Sequence, residues 1–436
     1  MEKNSLTERL FHLKEHGSDV KTEIIAGITT FMTMSYILAV NPQILSEAGM
    51  DKGGVFTASI IASVIAILIM ALYANLPFGL APGMGLNAFF TYTVVMQLGH
   101  SWQFALTAVF LEGILFMILS LLGVREAIFN SIPLVLKKAV SVGIGLFIAE
   151  IGLINAKFIQ VGDMSLVLGN LLTKNTIVFA FALILMAVLS AKNVKGALLI
   201  GILASTVLAI ITGVSTLPTS IVQLPPSLGS VAFKLEFDNI LSLEMFSIMF
   251  TFLFVDLFDT VGTLTGVSAK AELLDAEGKL ENSGKALLAD AIGTTCGALL
   301  GTSTVTTFVE SASGVTEGGR TGLTALSTAV CFLISLFLFP IFAIIPAEAT
   351  SAALVMVGLF MITPIKDIDF SDYTESFPAF LTILMMPLAY SIAEGISFGI
   401  ISYAILKLLT GRSKEVSPLV WILAIIFIIR IIAPLF

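Results

Sequence analysis

Apolar residues fall in long blocks along this chain, and polar residues collect in the short stretches between them. A helix crosses the hydrocarbon of a bilayer with roughly 20 apolar residues, so each block predicts one membrane span. Seven spans precede a polar, proline-bearing stretch that runs from Val214 to Leu241: 24–45, 55–74, an interrupted third, 102–123, 139–154, 175–190 and 196–213. Seven follow it: 244–268, 286–300, an interrupted tenth, 322–345, 350–363, 376–391 and 393–409. One apolar run, 418–435, is left over.

The two interrupted spans break the helical pattern differently. The third, NLPFGLAPGMGLNAFFTYTVVMQ, carries Pro77, Gly79, Pro82, Gly83 and Gly85 before it turns helix-compatible at Leu86. The tenth, GTSTVTTFVESASG, opens with Thr302, Ser303, Thr304, Val305, Thr306 and Thr307. These are small or β-branched residues that favour extended backbone. Non-helical backbone at membrane depth survives only where it is buried in protein or lines a cavity. The halves also echo each other. Asn87 and Glu310 fall at equivalent places, VGIGLF (142–147) matches VMVGLF (355–360), and each half ends on Thr-Gly, at Thr212-Gly213 and Thr410-Gly411. Repeats with an odd number of spans insert with opposite topology, and broken helices at matching positions point to a transporter's binding site. The fold class is an all-α polytopic membrane protein with a 7+7 inverted repeat.

Composition agrees. The chain is 57% apolar and 12% charged, with mean hydropathy +1.02, against about 45–50% and 25% in soluble domains. With the N-terminus cytoplasmic and fourteen alternating spans, 17 of the 22 Lys and Arg lie on the cytoplasmic side; Lys52, Lys157, Lys174 and Lys234 are external, and Arg430 lies in the leftover run. That is a strong positive-inside bias, and it predicts a multi-pass cell-membrane protein. Residues 1–23 lack the pattern of a signal peptide; Leu6, Leu10, Phe11 and Leu13 suggest one face of a short surface helix. His12, His16 and His100 lie in the tail or a loop, and Cys296 and Cys331 lack metal-ligand spacing. No metal, organic cofactor or nucleic-acid partner is expected.

The candidate chemistry rests on a few acids at membrane depth, where ionisable side chains are costly and mark function. Asp256 and Asp259 stand three apart in TFLFVDLFDTVG, on nearly one helix face. With Glu310 they form a candidate acceptor cluster for the ring N–H and exocyclic amine of a purine. Asn87 and backbone N–H groups at the reopened helices are the candidate donors. Phe308, Phe89 and Phe31 are candidates to cover the base's face, although single phenylalanines in so apolar a chain are most often packing residues. Asp259, Asp256 or Glu310 can carry a coupling proton, since burial and like-charge crowding tune carboxylates; the sequence leaves open which one does. Glu112, Glu150, Asp290 and Glu394 read as helix-packing or span-end acids. Three rivals fit less well. An anion exchanger of the same repeat plan needs positive lining or bare helix dipoles, an intramembrane aspartyl protease needs acids on two facing helices, and a passive channel predicts neither saturation, competition nor dependence on a proton gradient.

NPQIL, LAPGMGLNAFF, FVDLFDTVGTL and ALLADAIGTTCGALLGTSTVTTFVESASGVTEGGRTGLTAL, in that order, resemble the AzgA-like branch of the nucleobase–cation symporter-2 superfamily nearly end to end. The resemblance implies proton-coupled uptake of hypoxanthine, guanine or adenine by a permease with no enzymatic activity. It also implies the uracil-transporter fold, with short strands in spans 3 and 10. In that fold a core holds 24–123 (spans 1–4) and 243–345 (spans 8–11), a gate holds 124–213 (spans 5–7) and 346–411 (spans 12–14), 214–242 is an external connection, and 412–436 is an added hydrophobic extension. The family's base-binding positions fall on Asn87, Asp256 and Glu310, and a further transport acid falls on Asp259. Dimerisation through the gate domain is a further implication.

Overall fold

The computed structural model describes residues 6–122, 131–162, 165–218, 220–238, 240–270, 273, 280 and 282–432. Lys3, Arg125 and Lys279 of the charge count, and the expected boundary at 124, lie outside them. Eight described helices are long and apolar enough to cross a membrane; Ala197–Thr212 is a shorter apolar helix. Span 1 is Val20–Glu47 and span 2 is Lys52–Ala74, followed by Trp102–Leu121 (span 4), Leu134–Asn155 (span 5), Lys174–Ala191 (span 6) and Ala197–Thr212 (span 7). The second half supplies Leu243–Lys270 (span 8), Ser283–Leu300 (span 9), Gly322–Ala343 (span 11), Ala347–Met361 (span 12), Tyr373–Leu388 (span 13) and Ile392–Leu409 (span 14). Several starts are capped by their own sequence. Asp19 accepts from the Lys21 and Thr22 amides, Asp51 from Gly54, and Ser101 from Phe104, which satisfies N–H groups that a helix start leaves orphaned.

Spans 3 and 10 are not helical through their centres. Strand β1, Leu80–Pro82, pairs antiparallel with β4, Val305–Thr307, in the register Leu80 to Thr307 and Pro82 to Val305. After β1 the chain reopens as a helix at Met84–Ala88 and continues as a wider π-wound segment, Phe89–Gln97. After β4 it forms only the short helix Ser311–Thr316. A second two-stranded sheet, the hairpin of β2 (Ile159–Val161) with β3 (Leu166–Leu168), joins spans 5 and 6; nothing in the apolar pattern marks it.

Span 1 reads as continuous in the sequence, but it is broken between Met34 and Ile37. Pro42 lies inside its second half, and an interior proline removes one ladder bond and crowds the carbonyl four residues back. The Thr33 hydroxyl adds to the disturbance by bonding the Thr29 and Thr30 carbonyls. The leftover run forms the helix Pro418–Ile432, 15 residues long. At 1.5 Å per residue its described part is about 22 Å, the same as span 12, so length does not set it apart from the fourteen spans. Of the expected surface helix, Leu6–Phe11 is helical. Leu10 is exposed, while Phe11 and Leu13 are buried against Leu323 of span 11.

Spans 1–4 pack chiefly among themselves and with 8–11, and spans 5–7 chiefly with 12–14. Equivalent residues of the two repeats meet inside the second group. A Cβ on Gly145 would lie 2.7 Å from the Gly358 carbonyl, and one on Gly358 would lie 2.4 Å from the Gly145 carbonyl. Those two glycines occupy the same place in VGIGLF and VMVGLF, and only hydrogen at both lets spans 5 and 12 touch backbone to backbone.

Candidate functional site

The site begins as backbone. The β1–β4 pair is extended by the Gly83 amide donating to the Thr304 carbonyl, the Phe308 amide to the Gly79 carbonyl, and the Gly79 amide to Ser311 Oγ, each at 3.0 Å. Buried strand edges at membrane depth are thereby satisfied. Gly83 permits the close approach: a Cβ there would sit 2.7 Å from Thr306 Cγ2 and 3.6 Å from Asp259 Oδ2.

Glu310 immediately precedes the short helix of span 10. Its Oε1 accepts a 2.7 Å hydrogen bond from the Tyr36 hydroxyl, and its carbonyl accepts from Thr33 Oγ1 at 3.4 Å. Tyr36 is 1% exposed and stands in the break of span 1, so the interruption carries the phenol to the carboxylate. Asp259 of span 8 lies within electrostatic reach of both Glu310 and Tyr36. Val309, beside Glu310, is 56% exposed and Glu310 itself is half-buried, so this side of the site is open.

Asn87 is fully buried in the reopened helix of span 3. Its Oδ1 accepts from the Ser303 hydroxyl, and its Nδ2 has no partner among the described residues. Asn41, from the NPQIL motif, donates to Ser59 at 2.6 Å and to Thr302 at 3.0 Å, bracing the start of span 10.

The spacing of Asp256 and Asp259 puts both on nearly one face, yet their contacts divide them. Asp259 turns toward Gly83 and Glu310. Asp256 is fully buried, and its Oδ1 lies 3.3 Å from the Thr260 hydroxyl. That hydroxyl also lies 2.9 Å from Asp290 Oδ2 and 2.7 Å from Thr306 Oγ1, and Thr307 donates to Asp290 Oδ1 at 3.5 Å. A threonine carries one hydroxyl proton, so Thr260 serves one carboxylate at a time. Asp290 thus ties spans 8, 9 and 10 together. The aromatic candidates are distributed: Phe308 is 5% exposed, Phe89 is buried edge-on against Phe252 at 4.8 Å, and half-buried Phe31 meets Phe332 edge-on at 5.3 Å.

The sequence profile described as Permease family (Xan_ur_permease) matches residues 21–398. The chain belongs to this permease family. The permease is 44% identical over 430 residues to the guanine/hypoxanthine permease PbuO of Bacillus subtilis, covering 97% of this chain and 99% of that one. It is 41% identical over 428 residues to the adenine permease AdeP of Escherichia coli, covering 98% and 96%. Its fold matches the transmembrane domain of the cyanobacterial bicarbonate transporter BicA with a TM-score of 0.65 at 18% identity, covering 86% of this chain and 97% of that one. The permease therefore has the 7+7 inverted-repeat architecture. Sequence reasoning missed Tyr36, Ser303 and the organising place of Asp290 in this site. The available signals were weak: a tyrosine just ahead of Pro42, and an acid within the run ALLADAIG.

Proposed function

We propose that the permease takes up purine nucleobases across the plasma membrane, with its N-terminus in the cytoplasm, by alternating access coupled to protons. One observation carries this reading: a buried amide with an unused N–H donor and a half-buried carboxylate flank the same paired strands. Hypoxanthine and guanine present an adjacent acceptor and donor at O6 and N1–H, and adenine presents them at N1 and N6–H. Asn87 Nδ2 suits the acceptor and Glu310 the donor. Asp256, carried over from the family's motif, completes the polar lining, with Phe308 over the base's face. The names of the relatives, guanine/hypoxanthine permease and adenine permease, support the same substrate class.

Asp259 supports the coupling role. It faces Glu310 with no hydrogen-bond donor of its own among the described residues, which leaves its carboxyl available to a travelling proton. Spans 1–4 with 8–11 form the proposed core that carries the site, and spans 5–7 with 12–14 the proposed gate. Between span 8 and spans 5, 13 and 14 lies a small apolar void of about 10 Å³, lined by Phe254, Phe258, Leu136 and Ile396 among others. That thin seam is where the two bodies would slide. The fold is shared with an anion transporter, but three acids around the strands disfavour an anionic substrate.

The test is radiolabelled hypoxanthine uptake in a strain lacking purine uptake. Saturable accumulation that a protonophore abolishes supports the reading. Uptake of an anion instead, or linear, non-saturating hypoxanthine entry that ignores the protonophore, overturns it.

A further inference from the structure

The acids of this site are accounted for by the family's motif, but the group that holds Glu310 is not. Glu310 has four lone-pair positions on two oxygens. One oxygen, Oε1, is engaged by the Tyr36 hydroxyl at 2.7 Å. The phenol comes from the break of span 1, is 1% exposed, and is fixed by the helix that resumes at Ile37. Thr33, one turn earlier, bonds the Glu310 carbonyl. Span 1 therefore holds residue 310 chiefly by its side chain, because the one Thr33 hydroxyl proton is shared with the nearer Thr29 and Thr30 carbonyls at 3.1 and 2.9 Å. Without the phenol, its own backbone amide alone, among the described residues, would still hold the carboxylate, and its orientation would be less fixed.

We infer that Tyr36 is a positioning residue for substrate binding: its hydroxyl fixes the Glu310 carboxylate through Oε1 and leaves Oε2 as the acceptor presented to the purine's N–H donor. This rests on the purine-site reading above. Tyr36 and Glu310 lie on spans 1 and 10, which pack together, so the bond travels intact with the body that carries the site. The break in span 1 then has a use: an unbroken helix through Ser35 and Tyr36 would carry the phenol along a different path. Preorganisation of this kind strengthens binding by removing the cost of ordering the carboxylate.

The experiment compares Tyr36→Phe, Glu310→Gln and the double variant in the full-length protein, reading KM and Vmax of hypoxanthine uptake, membrane abundance, and equilibrium hypoxanthine binding to purified protein. Tyr36→Phe keeps the ring and its packing. It is expected to raise KM and the dissociation constant by about 2- to 10-fold, the cost of ordering one side chain on binding, with Vmax and abundance within about twofold. Because Tyr36 acts through Glu310, the double variant should bind no worse than Glu310→Gln alone. A normal KM in Tyr36→Phe while Glu310→Gln has lost affinity overturns the role of Tyr36 and leaves the purine site standing. A loss of abundance or Vmax at unchanged KM also overturns it, as does a double variant weaker than either single one. Normal affinity in Glu310→Gln overturns the purine-site reading itself.

Discussion

Spans 3 and 10 share a backbone device and differ in almost everything attached to it. Both enter as extended chain, pair through three residues, and resume as helix. Span 3 is buried throughout that region, from Leu76 to Val94, and resumes for two segments in succession. Span 10 resumes for only six residues and leaves Val309 exposed and Glu310 half-buried. The polar group of span 3 is a neutral amide pinned by Ser303 from the opposite span; that of span 10 is a carboxylate pinned by Tyr36 from span 1. Duplication supplies the crossing point, and divergence supplies a fixed donor on one side and an accessible charge on the other. A neutral heterocycle with a donor next to an acceptor requires that asymmetry.

The comparison breaks most visibly if the charge is removed. Glu310→Ala should weaken hypoxanthine binding by roughly 100-fold or more, the upper range for deleting a charged hydrogen-bond partner, with normal membrane abundance. Asp256→Ala should do the same, and near-normal affinity in either would show that these acids do not hold the base. Asp259→Asn keeps the shape and hydrogen-bonding capacity but cannot exchange a proton. We expect uptake to fall at least about tenfold while equilibrium binding weakens by less than about threefold; equal losses would remove Asp259 from coupling. Asn87→Ala should weaken binding by about tenfold, the effect of one neutral hydrogen bond. If it equals the Glu310 effect, the two spans contribute alike and the contrast fails.

The smallest effect lies away from both spans. Arg412 pairs with Asp372 and Glu415 at 2.7 Å each. It holds the Asp372 carboxyl well below the usual range and, together with Lys407, pushes Glu415 down to about 2. A carboxyl lowered in the folded state contributes stability above its unfolded value, and that contribution is lost as pH falls through the folded value. Arg412→Gln should therefore lower the thermal midpoint slightly at pH 6. The gap to the unsubstituted protein should close between about pH 4.5 and 2, while hypoxanthine affinity stays unchanged.

Much of the architecture is legible in local pattern. Apolar blocks gave the spans, Pro82 and Gly83 the break in span 3, and the run from Thr302 to Thr307 the break in span 10. The echo of VGIGLF and VMVGLF turns out to be a physical meeting of Gly145 with Gly358. The site is less legible, because its bonds join distant positions. Tyr36 and Glu310 are 274 residues apart, and nothing near either one encodes the other. The division between Asp256 and Asp259 is equally hidden. A spacing of three places two side chains near one face, but which neighbours they meet depends on Thr260, Asp290 and Gly83 arriving from elsewhere. Span 1 looked continuous because Ser35 and Tyr36 are tolerable in a helix, and only Pro42 hinted otherwise.

The pairing of β1 with β4 also constrains biosynthesis. The partner of Pro82 is Val305, roughly 220 residues later in the chain. At 5–20 residues per second a ribosome needs about 10–45 s to cover that distance. During this interval the amides and carbonyls of Leu80 to Pro82 have no ladder to join and cannot rest against lipid. The first half must wait, sheltered by the insertion machinery or by water, until the second half is threaded, so a chain cut between the repeats should be handed to quality control rather than persist as half a protein.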